Sequence, residues 1–114
     1  MLPVKNRLNK KKDFENIFRK GKSFRGDFLV LKIAKNNLNQ VRFGFIVSQK
    51  VSKKATIRNK VKRRLRELVR SKIKTLKKGI DAILITVPGI ETKEFREIEE
   101  IMDKLFKKAG VVNP

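Results

Sequence analysis

The chain has no cysteine and no histidine. The first absence excludes a disulfide framework and thiolate metal sites, and the second removes the commonest metal ligand and general base. A chain so composed is poorly equipped to carry out chemistry of its own. Also missing is any apolar run near the roughly 20 residues that a membrane-spanning helix needs; the longest apolar stretches are strand-sized. Residues 1–12 are basic, but neither an apolar segment nor a small-residue cleavage site follows them, so they do not read as a secretory signal. A cytoplasmic location is expected.

What the chain has in excess is positive charge. Lys and Arg number 31 against 11 Asp and Glu, a formal charge of +20 on 114 residues, a length that suits a single domain spanning 1–114. Such a charge repels itself in a compact state unless an anionic partner neutralises it. Nucleic acid is the first candidate and an anionic membrane surface the second. The charge is also segregated. From Lys50 to Lys78 every charged residue except Glu67 is basic, whereas Asp81, Glu91, Glu94, Glu97, Glu99, Glu100 and Asp103 all come later. One face is therefore expected to meet the ligand while the C-terminal helix faces solvent.

The densest basic run is Arg58-Asn59-Lys60-Val61-Lys62-Arg63-Arg64-Leu65-Arg66-Glu67. At helical period Ile57, Val61, Leu65, Leu68, Val69 and Leu76 form an apolar stripe, and Arg58, Lys62, Arg66 and Arg70 recur every fourth residue beside it. A disordered basic tail needs no such stripe. Like charges four apart destabilise an isolated helix by a few tenths of a kcal/mol per pair, so a face built only for solubility would intersperse glutamates. The pattern points to a helix anchored in a core, holding cations at fixed spacing against a polyanion.

Around it, the spacing predicts a helix over 11–20 from Phe14, Ile17 and Phe18, with Asn9 as N-cap and Gly21 as the stop. Residues 28–34 and 41–48 read as strands, and the polar stretch 35–40 between them suggests an antiparallel hairpin. Phe28, Val30 and Lys32 would then share one strand face. The basic helix is expected from Thr56, as N-cap, to a point before Gly79. The near-continuous apolar run 80–87 reads as a strand covered on part of both faces, and 93–108 as a last helix ended by Gly110. The order αββαβα indicates an α+β sandwich. No internal repeat or low-complexity linker interrupts it.

Order and motif together identify a resemblance. Arg58-Asn59-x-x-Lys62-Arg63-x-x-Arg66, preceded by Ser48-x-Lys50 and Ala55, is similar to the basic helix signature of the protein subunit of bacterial ribonuclease P. Asp13-Phe14-x-x-x-Phe18-x-x-Gly21, Gly44, Asp81-Ala82-Ile83-Leu84-Ile85 and Leu105-Phe106-x-Lys108 extend the likeness over essentially the whole chain. Two stretches depart from the pattern: Thr86-Val87-Pro88-Gly89 lacks a basic residue beside the proline, and Leu31-Lys32 stands where an aromatic is frequent. The resemblance implies a ribonucleoprotein that removes the 5′ leader from precursor tRNA. The RNA would be the catalyst, with Mg2+ held mainly by its phosphates, and the chain would contribute no catalytic or metal-binding residue. The implied fold is an αββαβα sandwich with one mostly antiparallel sheet and a left-handed crossover around the basic helix, where general rules would give a right-handed one.

Two readings stand beside each site residue. Arg58, Lys62, Arg63 and Arg66 contact the phosphates and shape of the catalytic RNA, or form a solvated face; Asn59 reads RNA, caps the helix start, or does both. Lys50, Lys53 and Lys54 precede the helix and either extend that RNA surface or are ordinary solvated lysines. Phe14 and Phe18, four apart, stack on unpaired leader nucleotides or pack in the core, and the resemblance puts them in the leader cleft. Phe28 and Lys32 belong to the same cleft, or Lys32 guards an edge strand against aggregation. Asp13, Glu15, Asp27 and Asp81 have no ligand-loop spacing and suit salt bridges and helix ends. A structural RNA-binding protein of ribosomal type is the competing class. A protein-only nuclease would want clustered carboxylates or a histidine.

Overall fold

The structure, a computed structural model, describes residues 2–114. Its elements are helix α1 (Lys11–Lys20), strands β1 (Lys22–Arg25), β2 (Leu29–Lys35) and β3 (Val41–Ile46), helix α2 (Ala55–Lys72), strand β4 (Ile80–Thr86) and helix α3 (Phe95–Ala109). The strands form one mixed sheet in the order β1-β2-β4-β3, and the α+β class is as expected.

Two sheet expectations are corrected. β2 and β3 do not pair as a hairpin: β4 lies between them, antiparallel to β2 and parallel to β3. Neighbours in sequence usually pair, but β4 is the most apolar strand, and the central position covers both its faces and bonds both its edges. The second correction is β1, which pairs antiparallel with β2. Its sequence, Lys22-Ser23-Phe24-Arg25, offers a single apolar residue and no readable alternation. The parallel β3–β4 pair makes the connection through α2 a crossover, at the place the resemblance gives it.

Side-chain alternation sorts the sheet into two cores. Leu29, Leu31, Val41, Phe43, Ala82 and Leu84 face α2 and α3, which contribute Val61, Leu65, Leu68 and Val69, and Ile98, Met102, Leu105 and Phe106. Each of these side chains except Ala82 contributes about 1.5–3 kcal/mol of burial. On the opposite face a smaller core gathers Leu8, Ile17 and Ile83, with Phe14, Ala34, Ile46 and Ile85 packed against it. α1 thus has a face of the sheet to itself.

The helix ends follow local chemistry, with some shifts from expectation. α1 has Lys10 at its N-cap and no side-chain cap, so Asn9 lies one residue too early. α2 has Lys54 at its N-cap position, again with no side-chain cap, and Thr56 falls inside its first turn. Glu94 and Glu97 close a reciprocal capping box on α3, and Gly110 ends that helix in the left-handed region at φ 70°. Gly21 stops α1 for another reason. Its φ is −76°, open to any residue, but a Cβ there would lie 2.5 Å from the Ile17 carbonyl oxygen and 2.9 Å from that of Ile33.

Ion pairs fasten the helices. Lys72 of α2 reaches Glu99 at 3.2 Å and Asp103 at 2.8 Å on α3. Under α1, Arg42 of β3 makes a two-pronged contact with Asp81 at 2.8 and 2.7 Å, and its other nitrogen lies 3.6 Å from Asp13. Asn36 donates a further hydrogen bond to Asp81 at 2.7 Å. The Arg42 pKa is raised, chiefly by the hydrogen bonds to Asp81 against the opposing pull of burial. The buried carboxylate of Asp81 is therefore fully committed.

Gly21→Ala is expected to lower unfolding free energy by about 1–3 kcal/mol in urea titration, because both atoms the methyl meets are backbone. A second expectation concerns pH. Desolvation lowers the Lys72 pKa, but hydrogen bonds to Asp103 and Glu99 outweigh it, and the folded value is raised. A raised lysine contributes stability that is complete below its unfolded pKa of about 10.4 and is lost as pH climbs through the folded value. Lys72→Gln should therefore cost under about 1 kcal/mol at neutral pH, since both acids are half exposed. The gap between the two proteins should close above about pH 10.4, read from urea midpoints.

Candidate nucleic-acid interface

Strand register arranges the α1 side of the sheet into three rows. Ala34, Asp81 and Arg42 form the first; Ser23, Lys32, Ile83 and Gly44 the second; Arg25, Val30, Ile85 and Ile46 the third. α1 covers the first two. Asp13 is held at Arg42, Ile17 packs with Ile83, and the Phe14 ring lies so close over Gly44 that any Cβ there would run into it. The third row is left partly open, with Val30, Ile85 and Ile46 half-buried and Arg25 exposed. A cleft results, with an apolar floor from the sheet and a wall from α1.

Phe14 and Phe18 form that wall. Phe14 is half-buried, while Phe18 is 45% exposed, and the Lys32 Nζ stands 5.3 Å from the centre of its ring. Both residues and Lys32 are thus brought together. Phe28 is not. It precedes β2, takes a left-handed φ of 58°, and packs against the main core on the α3 side. Its ring fills the space beside Gly89, where a Cβ would lie 2.6 Å away, and Lys93 Nζ sits 4.9 Å above it. The expectation that Phe28 shares a face with Val30 and Lys32 is corrected, because the chain turns at Phe28 before the strand alternation begins.

The basic helix divides its charges among three directions. Lys62 and Arg66 occupy the flank toward the β3 edge, half-buried, and line an opening with Arg7, Leu8, Asn9, Phe14, Gly44 and Phe45. Asn59, Arg63 and Arg70 point outward and are exposed. Arg64 lies on the other flank and donates to the Lys93 carbonyl at 3.3 Å. Arg58, expected on the ligand face, turns back instead: one guanidinium nitrogen donates to the carbonyls of Ser52 and Lys53, each at 2.9 Å. It braces the loop that carries Lys50, Lys53 and Lys54, all exposed. The Ser48 and Ser52 hydroxyls accept from the backbone N–H of Lys50 and Lys54, which further shapes that loop.

Sequence reading missed the N-terminal segment. Arg7 bridges to Phe43 in parallel fashion, the Leu8 N–H donates to the Phe43 carbonyl at 2.9 Å, and buried Asn6 donates to the Val41 carbonyl at 2.8 Å. The segment seals the edge of β3 and inserts Leu2 into one core and Leu8 into the other. Arg25, Phe45, Ile46 and Ile85 were likewise unassigned. The alternation along β3 and β4 carried that signal once the strands' neighbours were known. Among the described residues no group of three His, Cys, Asp or Glu is placed to hold a metal ion, and no helix is long and apolar enough to cross a membrane.

Comparison with known proteins meets this geometry. A family model described as Ribonuclease P matches residues 2–110. The ribonuclease P protein component of Clostridium botulinum is 39% identical over 109 residues, covering 95% of this chain and 97% of that one. The Pseudanabaena component is 38% identical over 115 residues, covering 99% and 98%. Among solved structures, the Staphylococcus aureus RNase P protein superposes with a TM-score of 0.87 at 28% identity, covering 95% and 98%. The Thermotoga maritima protein gives 0.82 at 33%, covering 90% and 96%. With its sequence matched nearly end to end and its four-stranded sheet and three helices shared with solved relatives, the chain belongs to the ribonuclease P protein family.

Proposed function

We propose that this chain joins a catalytic RNA through the outward face and β3 flank of α2 and holds the 5′ leader of precursor tRNA in the cleft between α1 and the sheet, in the cytoplasm. One observation carries the reading: Lys62 and Arg66 open onto the same recess as Phe14, which brings the basic helix up to one end of the aromatic wall at the β3 edge. An RNA docked on one would deliver an unpaired strand to the other. Arg63, Asn59, Arg66 and Lys62 meet phosphates and local RNA shape, and Lys50, Lys53 and Lys54 extend that surface beside an α2 N-terminus that has no acid in its first turn. Arg58 acts at one remove, by holding the lysine loop in place.

The bond-breaking belongs to the RNA in this reading. The chain has no histidine or cysteine, its Asp13 and Asp81 carboxylates are engaged by Arg42, and the described residues offer no ligand set for Mg2+. The ions are therefore assigned to RNA phosphates, and no step is routed through this protein. Its part is electrostatic screening of the RNA and added affinity for the leader.

Added to a ribonuclease P RNA at low magnesium, the purified chain should restore leader removal from precursor tRNA. Lys62→Ala and Arg66→Ala should each weaken assembly with the RNA and flatten its log–log salt dependence by about 0.7–0.9. Restoration absent from a folded protein would favour a structural RNA-binding role instead. Phe18→Ala should leave stability nearly unchanged, given its exposure, while reducing discrimination of precursor from mature tRNA by about fivefold or more. An unchanged affinity ratio would remove the leader from the cleft.

A further inference from the structure

Lys32 stands over the most open ring of the cleft. Its Nζ is 5.3 Å from the Phe18 centroid, inside the roughly 6 Å reach of a cation–π contact. Its neighbours across the strands on that face, Ser23 and Ile83, carry no charge. Among the described residues no carboxylate pairs with it either. Among the described residues the ring is its one close electrostatic partner. A nucleobase stacking on Phe18 would compete for that ring, and the displaced ammonium would remain on a stem rooted in the neighbouring strand, within reach of the same nucleotide's phosphate.

We propose that Lys32 is a latch on Phe18: it covers the ring in the free protein, yields it to an unpaired leader base, and moves to that nucleotide's phosphate. The inference rests on the leader-cleft reading above and specifies the chemistry it recognises, a single-stranded nucleotide of any base with an intact phosphate. The two contacts of Lys32 respond differently to salt. The phosphate contact weakens steeply with ionic strength, by about fivefold per tenfold increase for one charge on a single strand. The ring contact is short-ranged and local, and giving it up reduces affinity by about two- to fivefold. Lys32 therefore favours leader binding at low salt and opposes it at high salt.

The test uses holoenzyme reconstituted with a ribonuclease P RNA, comparing affinity for precursor tRNA with affinity for the same tRNA lacking a leader. The ratio of the two cancels salt effects common to both. Lys32→Gln should lower this ratio several-fold near about 50 mM salt, and at about 500 mM should equal or exceed wild type by about twofold. Adding Phe18→Ala should abolish the high-salt gain, since no ring is left to cover. A Lys32→Gln ratio shifted by one constant factor at every salt, or not at all, would overturn the latch while leaving the cleft assignment standing. Should Phe18→Ala alone leave the ratio untouched, the cleft assignment falls and takes the latch with it. Circular dichroism of each variant confirms that the fold persists, which the exposure of Phe18 and the half-exposure of Lys32 favour.

Discussion

The insertion of β4 between β2 and β3 is the constraint on which the rest depends. It places the most apolar strand where both edges are bonded and both faces covered, and it pushes β3 to the sheet's edge. The link from β3 must then cross over to a parallel neighbour, so α2 lies along the large core with one flank beside that edge. Had β2 and β3 paired, β3 would lie inside the sheet and Lys62 and Arg66 would lose their common recess with Phe14. The basic motif is therefore positioned by a strand that follows it in sequence.

The charge pattern shows a division of labour. Acidic residues are largely used to hold the molecule together: Asp81 and Asp13 on Arg42, Glu99 and Asp103 on Lys72, Glu94 and Glu97 in the cap of α3, and Glu91 on the Gly89 N–H. Basic residues paired in this way are few: Arg42 under α1 and Lys72 between α2 and α3, besides the exposed Lys11–Glu15 pair along α1. On α2, Arg63 and Arg70 on the outward face and Arg66 on the β3 flank have no ion pair among the described residues. The surplus positive charge is thus concentrated where a polyanion reduces self-repulsion most.

Much of this was legible in the sequence, and the illegible part has a physical cause. The helices announced themselves because periodicity is local: of the predicted stripe, Val61, Leu65, Leu68 and Val69 are buried on α2 and Ile57 half-buried, while Leu76 is buried beyond the helix end. Gly110 and the apolar run of β4 were equally plain. Strand order was not, because it is decided by which strand gains most from the central position, a comparison among distant segments. Arg58 departed for a local reason. Its spacing placed it with Lys62 and Arg66, but it begins the helix, where loop carbonyls lie within reach and capture it. Phe28 departed because a left-handed residue at the strand's entry reverses the alternation. The N-terminal segment had no periodicity to read, since its role comes from sealing an edge that the sequence does not mark.

Gly44 shows how backbone detail reaches function. A Cβ at that position would run into the tip of the Phe14 ring, so the ring would have to shift from its place over β3. A missing methyl on β3, a salt bridge from Asp13 to Arg42 and a glycine at the end of α1 each fix the same quantity, the height and offset of α1 over the sheet. An aromatic can stack on a nucleobase only if it is held near its surroundings without being buried by them. Phe18 stands in that intermediate state between core and solvent, 45% exposed beside Lys32.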